Sequence, residues 1–165
     1  MFKRFVLYLS AAVIGVAAAF ALSAVFMVTT VTGSGMEGAI DDGSYVLINK
    51  LAYGIDGEKS PEIGDVVAFN SDVYGEEGEG SILVRRVAAS SGDVIEIKDN
   101  IFYLNGKPYE EYMYEAAHME PMAKRSLKEH EVFVLSDNRK SSMDSRNEAI
   151  GILDSRDFIG RVCFK

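Results

Sequence analysis

The chain opens on an unbroken apolar run, "FVLYLSAAVIGVAAAFALSAVFMV", from Phe5 to Val28, with no charged residue in it. A helix needs roughly 20 such residues to cross a hydrocarbon core about 30 Å thick, and within a helix every backbone polar group is satisfied. The run therefore predicts a transmembrane helix. Lys3 and Arg4 precede it and acidic, polar sequence follows it. The positive-inside rule then places residues 1–4 in the cytoplasm and residues 29–165 on the extracellular side of a single-pass cell-membrane protein. A cleaved leader has an apolar core of only about 7 to 15 residues. Here the run continues past "ALSA" through Val25, Phe26, Met27 and Val28, which favours a retained signal anchor over 5–28.

Beyond the anchor the hydrophobic period shortens to two. "SYVLINKLAY" (Ser44 to Tyr53), "GDVVAFN" (Gly64 to Asn70), "SILVRRVAA" (Ser81 to Ala89), "DVIEI" (Asp93 to Ile97), "NIFYLNG" (Asn100 to Gly106), "HEVFVLSD" (His130 to Asp137) and "DFIGRVCFK" (Asp157 to Lys165) are short runs rich in Val, Ile, Phe and Tyr, separated by Gly, Asp and Asn. Closely spaced strands with turn signals between them predict an antiparallel β domain rather than alternating strands and helices. Glu111 to His130, of mixed character, reads as an extension or loop.

Composition narrows the picture. With 165 residues, 48% of them hydrophobic, the chain has room for one domain beside the anchor. A formal net charge of -8 argues against a nucleic-acid partner, since phosphate binding needs a positive face. Cys163, the single cysteine, leaves no intramolecular disulfide and is predicted as a buried strand residue. His118 and His130 are isolated, so no metal site or other cofactor is indicated. "GEEGEG" (Gly75 to Gly80) is too acidic to cradle a phosphate and lacks EF-hand spacing.

Three stretches hold the candidate chemistry: "GSGMEGAI" (Gly33 to Ile40), "RRVAASSGD" (Arg85 to Asp93) and "SDNRKSSMDSR" (Ser136 to Arg146). In the third, Asp137 with Arg139 and Asp144 with Arg146 can pair locally at i, i+2. In order, spacing and position behind an anchor, the three together resemble the type I signal peptidases. That family shows G-x-S-M-x-P-T-L, then K-R-V followed by G-D, then G-D-N-R-x-x-S-x-D-S-R.

The resemblance implies a mainly β domain of the LexA/signal peptidase fold on one N-terminal transmembrane helix. It also implies a serine endopeptidase that removes signal peptides from exported precursor proteins, a serine attacking while a neutral lysine takes its proton. Position by position, the serine falls on Gly35 and the lysine on Arg85. Glycine carries no nucleophile, and a guanidinium, with a pKa above about 12, cannot serve as the base. Ser34 is the nearest replacement nucleophile, with Lys50, Lys98 or Lys140 as bases, although a one-residue step along an extended chain turns a side chain to the opposite face. Gly38-Ala39 replace the family's Pro-Thr, and Ser136 its Gly. The resemblance assigns Ser142, Asp144 and Arg146 to support of the site and Gly33, Ser34 and Met36 to the substrate groove. It leads to a non-catalytic protein that binds exported precursors or assists surface assembly, with pilins and a sortase as partners by family analogy. The alternative is an active peptidase with a displaced nucleophile.

Overall fold

The computed structural model describes residues 2–54, 58–71, 81–114, 116–141 and 143–164. Helix α1, Phe2–Val25, carries no charge after Arg4, and none of it is buried against the rest of the chain. Among the described residues it is the one helix long and apolar enough to cross a membrane. The strands that follow are β1 (Phe26–Thr30), β2 (Tyr45–Asn49), β3 (Val66–Ser71), β4 (Ser81–Ala89), β5 (Val94–Lys98), β6 (Ile101–Leu104), β7 (Lys107–Pro108), β8 (Met122–Ser126), β9 (Glu131–Leu135), β10 (Leu153–Asp154) and β11 (Phe158–Phe164). Seven form one sheet in the order β1-β2-β11-β3-β4-β9-β10, and four a second in the order β7-β6-β5-β8. Every pairing is antiparallel, so the domain is mainly β as the alternation predicts.

Three local features differ from the sequence expectation. Phe26, Met27 and Val28, counted with the apolar run, belong to β1 and pair with Asn49, Ile48 and Leu47. The helix stops at Val25 because its last carbonyls are taken from outside: Lys50 N donates to Val25 O at 2.8 Å and Lys50 Nζ to Ser23 O at 2.7 Å. A cation there also meets the negative end of the helix dipole. The segment from Glu111 to His130 contains a strand, β8, laid along β5. Its sequence, MAKRS, is exposed or half-buried throughout, so no apolar alternation betrays it. Cys163 lies in β11 but is exposed, because its neighbour Val162 takes the inward position.

The core follows the pleat. Val67 and Ala68, Leu83 and Val84, and Val134 and Leu135 enter different apolar clusters, so the large sheet is covered on both faces over this stretch. One cluster joins the two sheets: Ile95, Ile97 and Phe102 of the small sheet meet Phe133 and Leu135 of β9. Phe102 and Phe133 stack with ring centroids 5.4 Å apart and planes 4° from parallel. Both are essentially inaccessible to solvent. Phe133→Ala is expected to lower stability by about 3–5 kcal/mol through the lost burial and the cavity it leaves, read as a large drop in the thermal unfolding midpoint.

Candidate functional site

The site begins at a turn. Gly33 has φ 88°, a left-handed conformation open to glycine at little cost, and its N–H donates to Asp42 Oδ1 at 2.8 Å. The chain then makes a single 3-10 turn over Ser34–Met36, closed by Glu37 N donating to Ser34 O. Met36 pins this turn to the domain, fully buried in a cluster with Val31, Ile40, Val46 and Ile48. Gly35 is thereby buried and faces β4.

Arg85 comes up from β4 to meet it, 2% exposed. Arg85 Nε donates to Met143 O and Nη1 to Val84 O, both at 2.6 Å. A Cβ placed on Gly35 would stand 2.9 Å from Arg85 Cζ, 3.0 Å from Nη2 and 3.1 Å from Nη1. The guanidinium thus fills the space that a side chain at position 35 would enter. Gly33, Ser34, Gly35, Glu37, Arg85, Asn138 and Lys140 are among the residues lining an open cleft of about 620 Å³. Ser34 and Lys140 are exposed at its rim.

The loop after β9 closes the cleft and is fixed by buried charge. Asp144 is wholly buried and accepts from Ser136 N at 2.8 Å and from Arg146 N at 3.1 Å, Nε at 2.8 Å and Nη2 at 2.7 Å. Arg146 also donates to the main-chain carbonyls of Arg139 and Ser141. Asn138 N donates to Gly35 O at 3.0 Å and Asn138 Nδ2 to Glu37 Oε2 at 3.1 Å, tying this loop to the opening turn. Ser136 Oγ is buried without a hydrogen-bond partner among the described residues, a cost that a glycine there would not carry.

The structure brings Gly33, Ser34, Gly35 and Arg85 together around one cleft, with the Asp144–Arg146 pair bracing its wall. Met36 lies in the core beneath. Of the lysines considered as bases, Lys140 lines the cleft, Lys50 is engaged at the end of α1, and Lys98 is exposed at the end of β5. Ser142 and the "GEEGEG" stretch lie outside the described residues. The local pairing of Asp144 with Arg146 is present, but that of Asp137 with Arg139 is not. Asp137 instead accepts from Arg86 of β4, Nε at 2.8 Å and Nη2 at 2.6 Å. The planar fork of Arg86 meets both carboxylate oxygens of Asp137, a two-pronged match stronger than a single contact. Arg139 is buried nonetheless, and burial, with Arg146 nearby, holds its guanidinium below its ordinary pKa.

Arg86 and Tyr112 have no role in the sequence reading, and Asn138 only its place in the third motif. Arg86 also donates to Gly64 O at 2.8 Å, and the Tyr112 ring lies 4.1 Å from its guanidinium carbon. The doubled Arg at 85 and 86 was the one signal, since two adjacent cations in a strand must be satisfied on opposite sides. Asp144→Ala should cost about 3–5 kcal/mol, because it leaves the largely buried Arg146 uncompensated. Asp154→Ala, which breaks the exposed pair with Arg156, should leave the thermal midpoint nearly unchanged.

In comparison with known proteins, residues 3–165 match the family model described as signal peptidase, peptidase S26. A curated relative, signal peptidase I P of Bacillus subtilis subsp. natto, is 35% identical over 79 residues, which cover 42% of this chain and 42% of the relative. The match thus spans less than half of that relative's length. A crystal structure of a signal peptidase I from Enterococcus faecalis V583 aligns with a TM-score of 0.48 and 23% identity, over 62% of this chain and 97% of the other. Matched by the family model from its third residue to its last, the chain belongs to the signal peptidase family, peptidase S26.

Proposed function

We propose that this chain is a non-catalytic member of its family, which holds segments of exported precursor proteins at the membrane surface rather than cutting them. One observation supports the reading: Gly35, which the sequence resemblance aligns with the family's nucleophile, carries no side chain, and the guanidinium of Arg85 stands 2.9 Å from where a Cβ would be. A serine–lysine pair works because a desolvated, neutral amine takes the proton of an adjacent hydroxyl. Gly35 and Arg85 supply neither group, and loss of a serine nucleophile alone costs on the order of a millionfold in turnover. The groove beside β4 can still take an extended segment by strand addition. Lys3 and Arg4 support an N-terminus in the cytoplasm and a β domain outside, where exported chains emerge. Pilins and a sortase rest as partners on family analogy alone.

A second reading is a working serine endopeptidase that uses Ser34. It is favoured by Ser34 and Lys140 lining the same cleft. The comparisons, all with signal peptidases, also stand nearer to it than to a holding role. Against it, both residues are exposed, without the apolar enclosure a neutral lysine base requires.

The full-length chain in detergent, incubated with a fluorescent exported precursor, is expected to release no cleaved product. Cleavage that disappears in Ser34→Ala would establish the second reading instead. The double variant Gly35→Ser with Arg85→Lys should show trace cleavage at most, measured in the same assay, because Gly38, Ala39 and Ser136 also depart from the family pattern.

A further inference from the structure

We infer that residues 110–114 are a built-in competitor: Tyr114 occupies a side-chain subsite beside the cleft, and an exported segment that carries an aromatic residue binds there by displacing it. The inference rests on the holding role proposed above and adds which side chain is read and what must move first.

The subsite is a notch over Gly38. A Cβ placed there would stand 2.5 Å from Tyr114 Cδ2, 2.6 Å from Cγ and 2.8 Å from Cβ, so Tyr114 sits where any other residue at 38 would put its side chain. Beside the notch, the Tyr114 N–H donates to Asp137 O at 2.8 Å. A groove holds an extended peptide in this way, a main-chain bond giving affinity and a pocket for the side chain giving specificity. Here the peptide is the chain's own. The place adjoins the cleft: Gly38 follows the turn that carries Gly35, and Asp137 precedes Asn138, whose N–H donates to Gly35 O at 3.0 Å. Gly38, Ala39, Arg86, Tyr112, Tyr114 and Asp137 are among the residues lining a recess of about 200 Å³, sized for one side chain where the cleft of about 620 Å³ takes several. Arg86 and Asp137 at its base are paired to each other at 2.6 Å, so the recess favours a neutral ring over a charged group.

Tyr114 is lightly held, and Tyr112 is the pivot on which it moves. Tyr114 is 63% exposed although its ring reaches into the notch. Tyr112 is fixed more firmly: its ring lies 4.1 Å from the Arg86 guanidinium carbon and against Gly64, where a Cβ would stand 3.0 Å from the Tyr112 hydroxyl. Its φ of 60° is a left-handed conformation that a bulky residue seldom adopts. That strained bend brings Tyr114 down over Gly38. Relaxing Tyr112 to an extended φ redirects the chain and lifts Tyr114 away, at the loss of its bond to Asp137 O. A segment that delivers its own ring and N–H remakes both contacts without the strain, so the exchange favours the incoming chain.

The test uses the full-length chain in phosphatidylcholine nanodiscs and two fluorescein-labelled, amidated peptides, read by anisotropy. One is Ala-Leu-Ala-Ser-Tyr-Met-Tyr-Ser, and the other has Ser in place of both tyrosines. Tyr114→Ala should bind the tyrosine peptide about tenfold more tightly than the unaltered chain does, because the competitor no longer fills the subsite, and should bind the serine peptide as before. Tyr114→Phe, which keeps the ring, should behave as the unaltered chain. Weaker binding of the tyrosine peptide by Tyr114→Ala would overturn the inference, making Tyr114 a contact for the ligand instead of its rival. The unaltered chain should itself prefer the tyrosine peptide, a comparison that stands even where a variant loses stability. Equal affinity for the two peptides would overturn the inference and leave the holding role in place. Binding of neither peptide by any of the three chains would overturn both.

Discussion

A guanidinium taken out of water must find acceptors around its edge and room for its plane, and this requirement organises the whole pocket. Arg85 satisfies it with Met143 O on one side and Val84 O on the other, and takes its room from position 35. Gly35 and Arg85 are therefore fitted to each other. A serine at 35 would press its Cβ against the guanidinium, and a smaller residue at 85 beside Gly35 would leave a void under the turn. Removing a charge from water costs several kcal/mol even after relaxation, so a buried arginine persists only in a site shaped to repay it. Here the site is shaped by absence of a side chain as much as by presence of acceptors.

The walls around this pair hold themselves up without reference to any reaction. Asp144 is saturated by Arg146 and by the Ser136 amide, Asp137 by Arg86, and Asn138 stitches the loop to Gly35 and Glu37. These contacts join three segments far apart in sequence: the opening turn, strand β4 and the loop after β9. Asp137 and Asp144 are buried, so their pairings are binding on the fold: break one and a charge is stranded in a dry interior. A pocket built this way keeps its shape when the reactive groups change.

The sequence made some of this legible and hid the rest for physical reasons. β9 and β4 were readable because Glu131–Leu135 and Ser81–Ala89 pack against the core and must be apolar there. β1 was hidden because Phe26, Met27 and Val28 extend an apolar run already long enough to span a membrane; only Lys50, reaching back to Ser23 O, marks the break. β8 was hidden because a strand at a sheet edge with little burial has no pattern to show. In the site, the third motif was legible by resemblance, and Asp144 with Arg146 by their spacing. The partner of Asp137 was not, since nothing in a sequence says that an arginine in another strand will reach a carboxylate before the nearer Arg139 does. Arg86 and Asn138 act through contacts of this long-range kind, and pattern reading at short range has no access to them.

The packing around the turn extends beyond these two residues. At Gly38, φ of 93° lies far from the roughly −65° that a proline ring enforces, so the proline that the sequence resemblance would put there does not fit this turn. A Cβ there would fall 2.5 Å from Tyr114 Cδ2, so the aromatic ring now occupies the space as well. Tyr114 is fixed in turn, its N–H donating to Asp137 O at 2.8 Å, and Asp137 is the carboxylate that holds Arg86. Arg86 lies against the ring of Tyr112. A path of contacts thus runs from the turn at Gly38 through Tyr114 and Asp137 to Arg86, the residue adjacent to Arg85. The turn, the aromatic segment and the arginine pair are therefore packed as one unit around the cleft.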